Sequence, residues 1–229
     1  MNKKIIASSV LIILTIVIGY QFFELDIFNR VTAEDLRLKG KTIMLDPGHG
    51  GTEQGAKGIK HGTIEKDLNL KVAKNIKKEL EERTDAKVIM TRDTDTSILS
   101  GTDLKKELQA RVDLVKKNSA DIYVSIHHDA FQDTKAEGIT THYAPSRSQD
   151  KKLAKIVQEA IFAQKIDTRN RGVRASDYLV LKENTVPAIL IELGFTSNEN
   201  DEERMNSEEF QDKSKKGIAD GIINFLSRR

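Results

Sequence analysis

The sequence predicts a single α/β domain built around a mainly parallel sheet. Three observations predict it. Short apolar runs alternate with amphipathic stretches along residues 41–229, the pattern of strand–helix–strand units. The composition, 38% hydrophobic and 31% charged, suits a soluble globular chain. Its 229 residues suffice for one ordinary domain with a sizeable core and a short appendage.

The elements follow in order. TIML (42–45) reads as a short strand. Residues 64–83 read as an amphipathic helix with Thr63 as its N-cap. KVIMT (87–91) is a second strand, and residues 104–118 form a helix with Leu108, Val112 and Val115 on one side. DIYVSIH (121–127) is a third strand, and GITTHYA (138–144) a candidate edge strand. Residues 150–165 carry a helical stripe of Leu153, Ile156, Val157, Ala160 and Ile161. DYLVL (177–181) and PAILIEL (187–193) read as strands, and residues 208–227 as a closing helix. RGVR (171–174) reads as a basic loop, and NENDEER (198–204) as a solvated charge run or a helix start. Internal repeats and low-complexity tracts are absent.

Residues 1–23 stand apart. Lys3 and Lys4 precede an uncharged, mostly apolar run of 19 residues from Ile5 to Phe23. That length matches a helix crossing a bilayer core of about 30 Å, and the leading lysines favour a cytoplasmic N-terminus. The alternative is a cleaved signal peptide, but VIGYQFFELD offers no small-x-small site. A single-pass anchor is therefore expected, with the domain on the extracytoplasmic side, and secretion after cleavage as the alternative. Residues 24–40 read as a linker, and 41–229 as the domain.

Composition excludes several classes. There is no cysteine, so disulfide frameworks and thiolate metal sites are out. The net charge is +2, and without Lys3 and Lys4 the rest holds 35 basic and 35 acidic residues. No nucleic-acid partner is expected from such a balance.

Ligands in open α/β sheets sit beyond the carboxyl ends of strands. His49 follows the first strand, His127 ends the third, and Glu192 ends the PAILIE run. Glu65 lies in the first turn of its helix, on one stripe with Leu68, Val72 and Ile76. A carboxylate on a core-facing stripe is costly unless paired or metal-bound. The alternative is an N-terminal glutamate favoured by the helix dipole. Together His49, Glu65 and His127 make a two-histidine, one-carboxylate set, as in catalytic zinc hydrolases.

Four ordered blocks carry a family resemblance: LDPGHGG, EKDLNL, SIHHDA and PAILIELGFTSN. They resemble the zinc-dependent N-acetylmuramoyl-L-alanine amidases of bacterial cell walls, the amidase-3 group, which includes membrane-anchored sporulation and germination amidases. The resemblance runs from about Thr42 to Leu226. It implies a mixed six-stranded sheet flanked by helices. It implies one zinc per chain, held by His49, Glu65 and His127, with Glu192 as the catalytic carboxylate. It implies peptidoglycan as substrate and hydrolysis of the amide between the lactyl group of N-acetylmuramic acid and L-alanine. Asp46, Pro47 and the glycines would bend the chain so that His49 faces the metal.

One departure stands out. A small or apolar residue, then Asn, is expected after the second ligand histidine; here the run is His127-His128-Asp129. Strand alternation favours His127 as the ligand and turns His128 away. His128, Arg171 and Arg174 are candidates for substrate contact. His61 and His142 read as surface and structural residues, and Arg92 and Arg111 as structural, with a salt bridge expected. Two other functions fit the same residues: a non-catalytic wall-binding regulator with this fold, and a zinc peptidase cutting within stem peptides. A regulatory protein partner is open.

Overall fold

The computed structural model describes residues 38–228 apart from Ser100 and Thr102. The expected membrane segment, residues 1–23, and nearly all of the expected linker lie outside the described residues. Among the described residues no helix is long and apolar enough to cross a membrane. Leu38, inside the stretch read as linker, is buried in the main core, and Lys41 N donates to its carbonyl at 2.9 Å.

In chain order the elements are β1 (Thr42–Pro47), α1 (Glu65–Arg83), β2 (Lys87–Met90), α2 (Leu104–Lys117), β3 (Ile122–Asp129), β4 (Ile139–Tyr143), α3 (Ser148–Ala163), β5 (Asn170–Ala175), α4 (Leu179–Lys182), β6 (Ala188–Phe195), α5 (Glu199–Asn206) and α6 (Glu208–Ser227). The six strands form one mixed sheet in the order β2-β1-β3-β6-β4-β5. β2, β1, β3 and β6 run parallel, whereas β4 is antiparallel to β6 and parallel to β5.

Side-chain alternation builds two cores. Ile43, Leu45, Val124, Ile126, Ile189 and Ile191 pack under residues of α1, α3 and α6. Met44, Tyr123 and Leu190 face the other way, against Val112 and Val115 of α2 and Val180 and Leu181 of α4. Both faces of the sheet are covered, which explains why the central strands read as continuous apolar runs.

Several expectations need correction. Thr63 is not the N-cap of α1: Ile64 occupies that position, without a side-chain cap. Loop carbonyls replace the cap, since Glu65 N donates to Ala56 O at 2.9 Å and Lys66 N to Gln54 O at 3.2 Å. DYLVL is not a strand. Its apolar end forms α4, which buries Val180 and Leu181. The fifth strand is instead NRGVRA, the basic stretch read as a loop. β4 is not an edge strand, because β5 covers its free side. Of the two readings of residues 198–204, the helix start holds: residues 199–206 form a helix, with Asn198 accepting from Asp201 N at 3.0 Å. Asp46 and Pro47 do not form the turn; they are the last residues of β1.

Candidate active site

The turn after β1 is clamped by two buried guanidinium groups. Arg92 donates to the carbonyls of Pro47 at 3.1 Å and Gly48 at 2.8 Å. Arg111 donates to Pro47 O at 3.0 Å and to His49 O at 2.9 Å. Its Nη1 also lies 2.6 Å from Asp46 Oδ1, which is the salt bridge expected of Arg111. Arg92 is structural as well, but through backbone carbonyls. The other Asp46 oxygen accepts from Tyr123 Oη at 2.5 Å and Ser125 Oγ at 2.8 Å, and Thr91 Oγ1 donates to Oδ1 at 2.6 Å. Burial alone would raise the pKa of Asp46, but Arg111 and then the three hydroxyls bring it down to about 2.

This clamp holds His49 at φ 63°, a left-handed conformation that non-glycine residues seldom adopt. The His49 ring meets the His127 ring edge-on, with centroids 4.9 Å apart. Glu65, only 4% exposed, lies between them. Its Oε1 is 2.9 Å from His49 Nε2 and 3.0 Å from His127 Nδ1. One donor atom from each of the three residues falls within 4.8 Å of the others. Glycines make the room. A Cβ on Gly48 would stand 2.1 Å from the His127 ring, and one on Gly55 2.5 Å from Glu65 Oε2. Two imidazoles and one carboxylate, without a thiolate, are a donor set that suits zinc and leaves a coordination position for water. The residues present therefore fit a zinc ion.

Backbone and side chains orient Glu65. Ala56 N donates to Oε2 at 2.8 Å, and His128 N to Oε1 at 3.2 Å. Asn69, one turn along α1, donates from Nδ2 to Glu65 Oε1 and to Gly48 O, both at 3.3 Å. Burial works to raise the pKa of Glu65, but His127 and His49 outweigh it and hold it well below the carboxylate range.

His127 and His128 part as alternation requires. His127 lies in the cleft, whereas His128 is fully buried and its Nδ1 bonds Asn69 Oδ1 at 2.6 Å. Burial pushes its pKa down to about 3, so the ring is neutral. His128, proposed as a candidate for substrate contact, is not among the residues that line the cleft. Arg171 and Arg174 are exposed on β5 at the edge of the sheet. Arg171 donates to Glu137 O at 3.2 Å and stacks its guanidinium 5.1 Å from the Phe195 ring centre. His61 is exposed, as expected, while His142 is buried and bonds Ser176 Oγ at 2.7 Å.

Glu192 is not at the end of its strand: β6 continues to Phe195, and Glu192 sits opposite His127 of β3. It is 6% exposed, and its buried Oε2 has no hydrogen-bond partner. Burial, then the charges of Asp129 and Glu65, push its pKa well above the ordinary value. Glu192 lines a cleft of about 650 Å³ with His49, Glu65, His127, Asp129 and Tyr178.

A profile of the N-acetylmuramoyl-L-alanine amidase family, amidase-3, matches residues 43–224. The chain belongs to this family. It is 37% identical over 205 residues to the probable cell wall amidase LytH of Staphylococcus aureus, covering 89% of this chain. It spans 64% of the length of that relative. The CwlD amidase of Clostridioides difficile, solved in complex with the GerS lipoprotein, superimposes with a TM-score of 0.77 at 34% identity, covering 83% of this chain and 100% of that one. The catalytic domain of the amidase CwlV from Bacillus (Paenibacillus) polymyxa gives 0.74 at 32% identity, covering 82% and 99%.

Four members of the site of this amidase-family chain escaped the sequence reading. Asn69 carried a signal, since it stands four residues after Glu65 on the same helical face. The buried role of Asp46 is legible only once Arg111 is brought to it. Glu53, which bonds His49 Nδ1, and Tyr178, which lines the cleft, gave no such pattern.

Proposed function

We propose that the chain is a zinc-dependent amidase that hydrolyses the bond between N-acetylmuramic acid and L-alanine in peptidoglycan. The observation that carries this reading is the convergence of His49, Glu65 and His127 beside the buried, unpaired Oε2 of Glu192, in a member of the amidase family. His49, Glu65 and His127 are the residues that would hold the metal. When bound, zinc supplies Lewis acidity, lowering the pKa of water and polarising a carbonyl.

The chain supplies the rest. Glu65 stays anionic under its two histidines and balances positive charge. Glu192 acts as base and then acid: its Oε2 accepts a proton from the attacking water and returns it to the alanine nitrogen as the amide breaks. The raised affinity of Glu192 for a proton suits that exchange, because a carboxyl at its ordinary pKa would be a weaker base. The clamp of Arg92 and Arg111 keeps the His49 turn rigid, so little reorganisation accompanies the reaction. Residues 1–23 serve as a membrane anchor and the stretch after them as a linker that ends before Leu38, which belongs to the domain core; this tethers the domain at the wall. CwlD was solved with a lipoprotein, and a regulatory protein partner belongs to the same reading.

The test is mass spectrometry of purified muropeptides after incubation with the protein, with and without added zinc. Release of free L-alanine amino ends together with intact lactyl-muramic acid is expected, and chelation should abolish it. Ends produced within the stem peptide would make the protein a zinc peptidase. Absence of cleavage by zinc-loaded protein would leave a binding function only.

A further inference from the structure

His49 presents its two ring nitrogens to different partners. Nε2 lies 2.9 Å from Glu65 Oε1, inside the ligand set. Nδ1 faces the opposite way and bonds Glu53 Oε2. Glu53 is held where it can do this. Gly50 N donates to Glu53 O at 2.9 Å, and Glu53 N returns a bond to Gly50 O at 3.2 Å. Its second carboxylate oxygen accepts from Gly55 N at 3.2 Å.

We propose that Glu53 is a positioning residue for the metal ligand His49, accepting its Nδ1–H and leaving the Nε2 lone pair for the metal. The proposal rests on the zinc reading above. A neutral imidazole has one N–H and one lone pair, and an ionised carboxylate only accepts. Pairing Nδ1 with a carboxylate therefore fixes the tautomer with Nε2 unprotonated. The same bond orients the ring and makes it a stronger donor to a metal. Nothing else is needed to place the His49 backbone, since Arg111 and the Asp46 network already hold it. Glu53 thus acts on the ring, not on the turn.

Exposure makes the proposal separable from a structural role. The Glu53 side chain is 52% exposed, and a hydrogen-bonded pair open to solvent adds little to fold stability. Its removal should cost metal affinity and leave the metal-free fold nearly untouched.

The experiment is a competition titration of zinc against a chromogenic chelator, using the full-length chain, with melting temperatures of the metal-free protein measured alongside. Glu53→Ala should weaken zinc binding by about 10–100-fold without lowering the metal-free melting temperature. Glu53→Gln keeps an acceptor oxygen but loses the charge, and should fall between the wild type and Glu53→Ala. Unchanged affinity in Glu53→Ala would overturn the proposal. So would a loss matched by a lowered metal-free melting temperature, the sign of a loop role. A loss as large as that of His49→Ala would make Glu53 a ligand instead of a positioning residue. If the wild type itself binds no zinc, the metal reading fails and this proposal with it; tight wild-type binding with an indifferent Glu53 sinks the proposal alone.

Discussion

Asp46→Asn should destabilise the protein by about 3 kcal/mol or more, the range for removing one partner of a buried ion pair. The shape survives the change, but Arg111, 3% exposed, loses its closest carboxylate and keeps only Glu107 at 3.3 Å as a counter-charge. A second estimate comes from the carboxyl itself. Its pKa drops from 3.8 to about 2 on folding, and at 1.36 kcal/mol per unit that is worth roughly 2 kcal/mol. The two figures differ because protonation leaves the hydroxyls of Thr91, Tyr123 and Ser125 partnered, whereas substitution disturbs them too. The sign follows from the lowered pKa. The contribution is complete above the unfolded pKa and is lost as pH falls through the folded value. Urea unfolding of metal-free wild type and Asp46→Asn between about pH 5 and pH 2 reads both effects. The gap between the two proteins should be widest at the upper end and shrink by about 2 kcal/mol toward the lower. Replacing both partners, as Asp46→Asn with Arg111→Met, removes the stranded charge and should recover part of the loss. A gap under about 1 kcal/mol, or one that does not vary with pH, would refute this account of the pair.

The remaining predictions concern the site. His127→Ala should abolish zinc binding by metal analysis, whereas His128→Ala should keep the metal and lose about 1–3 kcal/mol of stability, because Asn69 Oδ1 loses its buried partner. The reverse pattern would exchange their roles. Glu192→Gln should leave zinc content and melting temperature near those of the wild type and lower kcat by about 10²–10⁴-fold. Near-normal turnover would remove Glu192 from the mechanism.

What the sequence made legible was whatever had a short period or a fixed end. The strands TIML and DIYVSIH were readable because they are buried on both faces, and KVIMT because its apolar run is compact although β2 is a half-buried edge strand; the placement of Glu65 on the Leu68–Val72–Ile76 stripe was a matter of helical spacing. β5 was missed for the opposite reason. Its six residues are partly or largely exposed, so NRGVRA carries no apolar signal, and pairing with β4 alone makes it a strand. The YLVL run was misread because four apolar residues cannot distinguish a turn of helix from a strand. Asp46 shows the deeper limit. Its partner Arg111 is 65 residues away, and nothing local to LDPGHGG tells a buried acid from a turn former. Thr63 failed for a related reason: the carbonyls that cap α1 come from residues 54 and 56, a loop whose path is set by the tertiary fold.

The two carboxylates of the site argue for their own roles. Glu65 and Glu192 are both nearly inaccessible, so desolvation raises the cost of ionising each. They differ in what faces them. Glu65 looks at two imidazoles, two backbone N–H groups and an amide, and remains an anion. Glu192 looks at Asp129 and Glu65 and at no compensating cation, and favours its proton. A pair of acids pushed apart in this way divides the work: the persistent anion suits cation binding, and the reluctant one suits proton exchange. Exchanging the roles would put the better proton acceptor among the ligands and leave beside the amide a carboxylate too weak to take a proton from water. The register of the sheet enforces the division. Glu192 is fixed opposite His127 by backbone pairing of β3 and β6, while Glu65 arrives from the first turn of α1, between the two histidine rings. Each carboxylate is therefore held at its post by a different element, and a change in one leaves the other in place.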